Sequence, residues 1–274
     1  MKKIILVFDG NHFSEGAFKM ATFINELEQV MVTGVFLQAI DYRDIVGYSS
    51  MGDGSPITVT PYQTDEKVTA RIIKTFESRC LHAGLEFRTH KDTDLFALQE
   101  LQTETRFADL MILSSEIFYD NIGPKQPNDY LKKVLHQSEC PVLLVPENYK
   151  IPEKLILAYN GQEDSVFAIK LFTYLFPKLY NWETKLVTIE DEEAAELPHQ
   201  ELIEELAAKH FSNLTLEVLT TDNRASFADW IAKHENALLV AGAYGRSELS
   251  SLFKKSFLSE VIGEHRTPVF IAHK

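Results

Sequence analysis

Short apolar runs alternate with longer amphipathic stretches along this chain, and the alternation is played twice. Lys3–Phe8 opens the first half and Lys154–Tyr159 the second, each a near-continuous apolar run. Each run ends in a small polar turn, Asp9-Gly10-Asn11 and Asn160-Gly161-Gln162. Periodicity then predicts helices near 13–28 and 163–179 and second strands near 30–38 and 184–189. A helix, a strand and a helix follow in each half, at about 64–83, 85–90 and 94–107, then at about 192–210, 214–220 and 224–234. The apolar runs 109–114 and 237–241 read as buried strands, followed by helices near 128–138 and 251–265. Each half closes on a strand entered through a proline, Cys140-Pro141 to Pro146 and Thr267-Pro268 to Ala272.

Each half therefore reads βαβαβαβαβ. Continuous apolar strands separated by helices predict a parallel sheet buried on both faces. Right-handed crossovers place helices on both sides. The expected fold is α/β, with two tandem doubly wound, Rossmann-like domains over 1–147 and 153–274. The segment Pro146 to Pro152 joins them, with two prolines and no Gly or Ser, so the halves are expected to dock. Phe172, Tyr174, Phe176 and Tyr180 read as core packing residues. A long irregular stretch, Tyr42 to Gln63, follows the second strand and is either a functional lid or a disordered segment.

Composition narrows the choice of partners. The 274 residues carry a net charge of −13, shared by both halves, which argues against nucleic acid and anionic membrane. No apolar run approaches the roughly 20 residues of a membrane span. The apolar start ends at Asp9, short of a signal-peptide core of roughly 7–15 residues. Cys80 and Cys140 form neither a disulfide framework nor a metal set, and the nine histidines show no HExxH pattern. A cytoplasmic protein without a metal centre is expected. The carboxylates from Glu190 through Glu196 and at Glu201, Glu204 and Glu205 read as a solvated helix face.

The sharpest local pattern is Gly242-Ala243-Tyr244-Gly245-Arg246, with Lys255-Ser256-Phe257 following Gly245 after nine intervening residues. Two glycines after a buried strand let the backbone approach a ligand and turn N–H groups toward it. A hydroxyl at a helix start adds a donor where the helix dipole favours an anion. The same spacing also suits a plain strand-to-helix turn.

With these landmarks the chain resembles a universal stress protein of the UspA-like family, with two domains in tandem, over essentially its whole length. In nucleotide-binding members of that family the last strand, loop and helix carry Gly-x2-Gly-x9-Gly-Ser/Thr around ribose and phosphates. Gly242, Gly245 and Ser256 match that spacing, and Lys255 replaces the third glycine. Asn160 stands where those members have an adenine-contacting aspartate. The resemblance implies a nucleotide site built from Tyr159, Asn160, Gly161, Ile189, Gly242, Gly245, Arg246, Lys255, Ser256 and Phe257. The first half keeps the aspartate, Asp9, with Gly10 behind it, but runs from its fourth strand into Ser114-Ser115-Glu116 without the glycines. It implies a vestigial site there, with Glu116 opposing a phosphate.

The function implied is a stress-response protein that binds ATP, with Mg2+, or another adenine nucleotide in the second half. Protein partners would read the bound state. No catalytic residues are assigned, and slow ATP hydrolysis is left open. Final strands 141–145 and 268–272 are expected to pair within the chain as a pseudo-dimer, with a homodimer left open. The alternatives are a nucleotide-free interaction protein with two degenerate pockets, or a hydrolase-type α/β enzyme.

Overall fold

A computed structural model describes residues 1–9, 11–37, 66–92, 97–116, 134–190, 197–220, 224–242 and 257–273. The first half contains β1 (Lys2–Phe8), α1 (Glu15–Leu27), β2 (Val30–Leu37), α2 (Glu66–His82), β3 (Glu86–Asp92), α3 (Ala97–Arg106), β4 (Leu110–Ser114), a helical turn at 134–137 and β5 (Val142–Val145). The second contains β6 (Lys154–Ala158), α4 (Glu163–Leu175), a 3-10 turn (Pro177–Leu179), β7 (Glu183–Glu190), α5 (Gln200–His210), β8 (Asn213–Thr220), α6 (Arg224–Lys233), β9 (Ala237–Gly242), α7 (Phe257–Gly263) and β10 (Val269–Ala272).

Among the described residues ten strands form one sheet in the order β3-β2-β1-β4-β5-β10-β9-β6-β7-β8. Within each half the pairings are parallel, as near-continuous apolar strands joined by helices require. β5 and β10 pair antiparallel, with Phe270 opposite Leu143. The class is the doubly wound α/β class read from the chain.

Strand side chains alternate between two layers, because successive Cβ atoms point to opposite faces. Ile4, Leu6 and Phe8 join one core with Leu155, Leu157 and Tyr159, while Ile5 and Val7 join another with Ile156 and Ala158. The first layer is closed by α1, α2, α4 and α5, through residues such as Met20, Phe76, Phe172 and Ala207. The second is closed by α3, the 134–137 turn, α6 and α7, through Leu101, Leu135, Ile231 and Val261. Both layers run across the β5–β10 junction.

The halves also touch outside the sheet. Lys178 Nζ donates to the Leu27 carbonyl at the end of α1 (2.5 Å), and Phe23 packs on Trp182 with centroids 6.1 Å apart. A cation there complements the exposed carbonyls of a helix C-terminus.

Three sequence expectations are corrected. The helix expected to run to 179 stops at Leu175. Phe176 leaves helical geometry and Pro177 begins a 3-10 turn, because proline lacks the N–H that an α-helix needs. The helix expected from 192 begins at Gln200: Pro198 precedes it, and His199 takes a left-handed φ of 50°. Glu201, Glu204 and Glu205 are exposed there, while Glu192, Glu193 and Glu196 lie outside the described residues. Of the four aromatics read as core, Phe172 and Phe176 are buried against Phe270, but Tyr174 and Tyr180 are 61% and 57% exposed. The irregular stretch 42–63 lies outside the described residues. Among the described residues no helix is long and apolar enough to cross a membrane.

Candidate functional site

In each half the order 3-2-1-4-5 reverses direction between its first and fourth strands, and ligands of such sheets sit beyond the strand carboxyl ends at that point. In the second half the switch point lies between β6 and β9. Leu157 pairs with Val240, so Tyr159-Asn160 and Gly242 leave the sheet side by side.

Each described residue there has a defined local job. The Asn160 side-chain oxygen accepts the Gln162 N–H (3.0 Å), closing a turn two residues on. Gly161 has φ +73°, and a Cβ on it would lie 2.6 Å from the Pro198 side chain. Tyr159 is buried and its hydroxyl donates to the Pro198 carbonyl (2.7 Å). Burial pushes its phenol pKa up, so it remains a donor at neutral pH. Ser165, also buried, donates to the Gln162 carbonyl (2.8 Å). Ile189, on β7, packs half-buried against the second core layer.

Gly242 is the tightest position. A Cβ on it would fall 2.4 Å from the Asp164 carbonyl and 2.5 Å from the Ser165 nitrogen. The first turn of α4 thus rests directly on the end of β9, and any side chain at 242 has to displace it. Gly242→Ala is expected to cost about 1–3 kcal/mol through overpacking, read as a lower midpoint of urea unfolding. An unchanged midpoint would mean that the close approach is not enforced.

The structure therefore brings Asn160, Gly161 and Gly242 together, beside Tyr159. Gly245, Arg246, Lys255 and Ser256 lie outside the described residues. Phe257 is the first residue of α7, and its side chain is likewise not described.

The first half repeats the turn with different surroundings. Asp9 Oδ1 accepts the N–H groups of Asn11 (2.9 Å) and His12 (2.7 Å), and Oδ2 meets His12 Nδ1 (2.7 Å). Asp9 and Asn160 thus use the same oxygen for the same turn, so Asn at 160 keeps the turn's acceptor. Gly10 lies outside the described residues. Ser114 takes the place of Gly242, and the hydroxyl of the next residue, Ser115, pairs with His265 Nδ1 across the junction (3.0 Å).

Sequence reasoning missed what the linker does here. Glu147 lays its carboxylate on the start of α1: Oε1 accepts from Ser14 Oγ (2.6 Å) and Oε2 from the Gly16 N–H (3.2 Å). Ser14 itself caps the helix by accepting the Ala17 N–H (3.0 Å). Glu116 Oε2 accepts the Glu147 N–H (2.5 Å), placing a second carboxylate alongside. The helix start that would welcome an anion is thus occupied by the protein's own carboxylate. The pair Ser14 and Gly16 at a helix start was the available signal, but nothing in the spacing connects it to residue 147.

Burial pushes the thiols of Cys80 and Cys140 up to about 12, so neither is a thiolate nucleophile near neutral pH. Among the described residues no group of three His, Cys, Asp or Glu side chains could hold a metal ion.

This arrangement is the fold of universal stress proteins. The chain is similar over 100% of its length to a universal stress protein from Archaeoglobus fulgidus, covering 96% of that chain at a TM-score of 0.67 and 13% identity. A putative universal stress protein from Pseudomonas aeruginosa is matched over 93% of its length at a TM-score of 0.54 and 13% identity. A functionally unknown protein from the same species is matched over 92% at 0.55 and 15% identity. No protein-family model and no curated protein matches the sequence.

Proposed function

We propose that this chain is a stress-response protein of the universal stress type that binds an adenine nucleotide in its second half. Partner proteins read the bound state, in the cytoplasm, and no catalytic step is assigned. The observation that carries this reading is the switch point of β6 and β9. There Gly242, packed against the first turn of α4, leaves the strand beside the Asn160-Gly161 turn. Gly245 and Ser256 follow Gly242 at phosphate-binding spacing. ATP would bring Mg2+ with it, held mainly by its own phosphates, since carboxylate cages are missing among the described residues.

The first half is proposed as a structural partner rather than a second nucleotide site. Ser114 replaces the first glycine, and Glu116 and Glu147 set two carboxylates where phosphate charge would lie. The antiparallel β5–β10 pairing supports a chain that is its own pseudo-dimer.

The test begins with purified protein, denatured, and its released small molecules identified by mass spectrometry. ATP, ADP and AMP are then titrated calorimetrically with and without magnesium. Stoichiometric adenine nucleotide is expected, lost in Gly245→Trp. No nucleotide and no heat up to millimolar concentration would overturn the reading and leave a nucleotide-free interaction protein.

A further inference from the structure

The two outer strands of the sheet are guarded differently. β3 closes one end and β8 the other. An edge strand offers a row of backbone N–H and C=O groups to any strand that approaches, and natural proteins blunt such edges with charge, proline or brevity. β3 follows that rule. Four of its seven residues, Glu86, Arg88, Lys91 and Asp92, are charged, and His90 adds a ring that meets Glu104 (2.6 Å). β8 does not follow it. Its eight residues, Asn213 to Thr220, hold no proline and one charge, Glu217, which Lys185 of β7 neutralises (3.0 Å).

Among the described residues β8 pairs only with β7. Its apolar side chains are incompletely covered. Leu214, Leu216 and Val218 pack on the first core layer and Leu219 on the second, and all four stay half-buried. Leu155 and Leu157 on the interior strand β6 are no more than 1% exposed. Thr215, between Leu214 and Leu216 on the opposite face, is exposed.

We propose that β8 is a self-association edge: two copies of this chain pair β8 with β8 antiparallel about a two-fold axis, so that the sheet runs from one copy into the next. The strand is complementary to itself in one register. Opposite residues of an antiparallel pair share a face, so the axis passes through a residue rather than between two. Two such axes pair seven residues of each copy. Centred on Glu217, the axis sets that carboxylate against itself, and like charges directly opposite are destabilising. Centred on Leu216, it sets Leu216 against Leu216, Leu214 against Val218 and Thr215 against Glu217 of the second copy. Three apolar pairs then carry the first core layer across the joint, and each Glu217 carboxylate meets a threonine. The chain already closes its own halves with an antiparallel pairing of this kind, β5 with β10. A two-fold contact uses the one β8 edge of each copy, so assembly stops at the dimer. None of this depends on what the second half binds.

The contact is small, one strand from each copy, so a weak dimer is expected, with a Kd of about 1–100 μM. Sedimentation equilibrium of the full chain across and beyond that range reads monomer and dimer alone. Thr215→Glu sets a carboxylate against Glu217 at two places and weakens the dimer about tenfold or more, whereas Thr215→Lys sets an ammonium there and leaves the dimer as tight or tighter. Lys185, beside Thr215 on β7, is present in monomer and dimer alike. Lys91→Glu puts the same new charge on exposed β3 and leaves association unchanged. Circular dichroism confirms that each variant folds. A monomer at every concentration, species larger than a dimer, equal weakening by Thr215→Glu and Thr215→Lys, or weakening by Lys91→Glu as great as by Thr215→Glu overturns the proposal.

Discussion

Phe270→Ala is expected to remove about 3–5 kcal/mol of stability, the range for deleting a fully buried aromatic. Phe270 is fully buried on β10, between Leu143 of β5 and Val240 of β9. Its ring meets Phe172 edge-on at 5.2 Å and Phe176 at 6.3 Å, both from the α4 region. The void would open in the core where the two halves are zipped together, and backbone pairing on both sides of β10 limits how far it can collapse. Against a typical stability of about 5–15 kcal/mol, the loss is a large share of the whole. Urea unfolding followed by circular dichroism measures it, with Phe107→Ala as control; Phe107 is 68% exposed, and its removal should stay within about 0.5 kcal/mol. A Phe270→Ala loss below about 1 kcal/mol would mean that the junction is not packed as described.

Gly16→Ala is the second large effect. A Cβ at Gly16 would sit 2.0 Å from the Pro146 carbonyl oxygen and 2.9 Å from its carbon. Both are backbone atoms, so neither yields by a rotamer change, and a cost near 3 kcal/mol is expected, at the upper end of ordinary overpacking. The damage is local in a telling way. Displacing the linker also breaks the Gly16-to-Glu147 and Tyr149-to-Gly16 hydrogen bonds. Limited proteolysis should therefore cut faster between 146 and 152 in the variant. Gly84→Ala separates the two causes, since Gly84 has φ +65° and open space around it: it should lose about 1 kcal/mol from backbone strain alone and leave the linker protected. Equal cleavage of variant and parent would show that the close approach does not hold the linker down.

Much of the fold is legible because parallel strands buried on both faces must be almost wholly apolar. Leu110–Ser114, Leu155–Ala158 and Ala237–Ala241 announce themselves in this way. Helix ends are harder, because periodicity continues past the point where backbone chemistry stops it. Pro177 and Pro198 set the real limits of α4 and α5, and both prolines were visible in the chain. Tyr174 was misread because an aromatic on an otherwise apolar helix satisfies the core pattern while facing outward.

At the site, the Asn160-Gly161 turn and Gly242 could be placed from sequence because each follows directly on a buried strand. Their packing reasons could not. That Gly242 makes room for α4, and that Glu147 seats itself on α1, depend on residues far apart in the chain.

The antiparallel joint between β5 and β10 has a consequence for biosynthesis. β5 is made long before its partner: residues 146–268 must be added first. At about 5–20 residues per second, that interval lasts roughly 6–25 s. Throughout it the nascent first half presents a bare apolar edge, Val142–Val145, of the kind that recruits strands from other molecules. Two nascent chains on one messenger could zip β5 to β5 in that window, and a chaperone that shields this edge until β10 emerges would raise the yield of correctly closed protein.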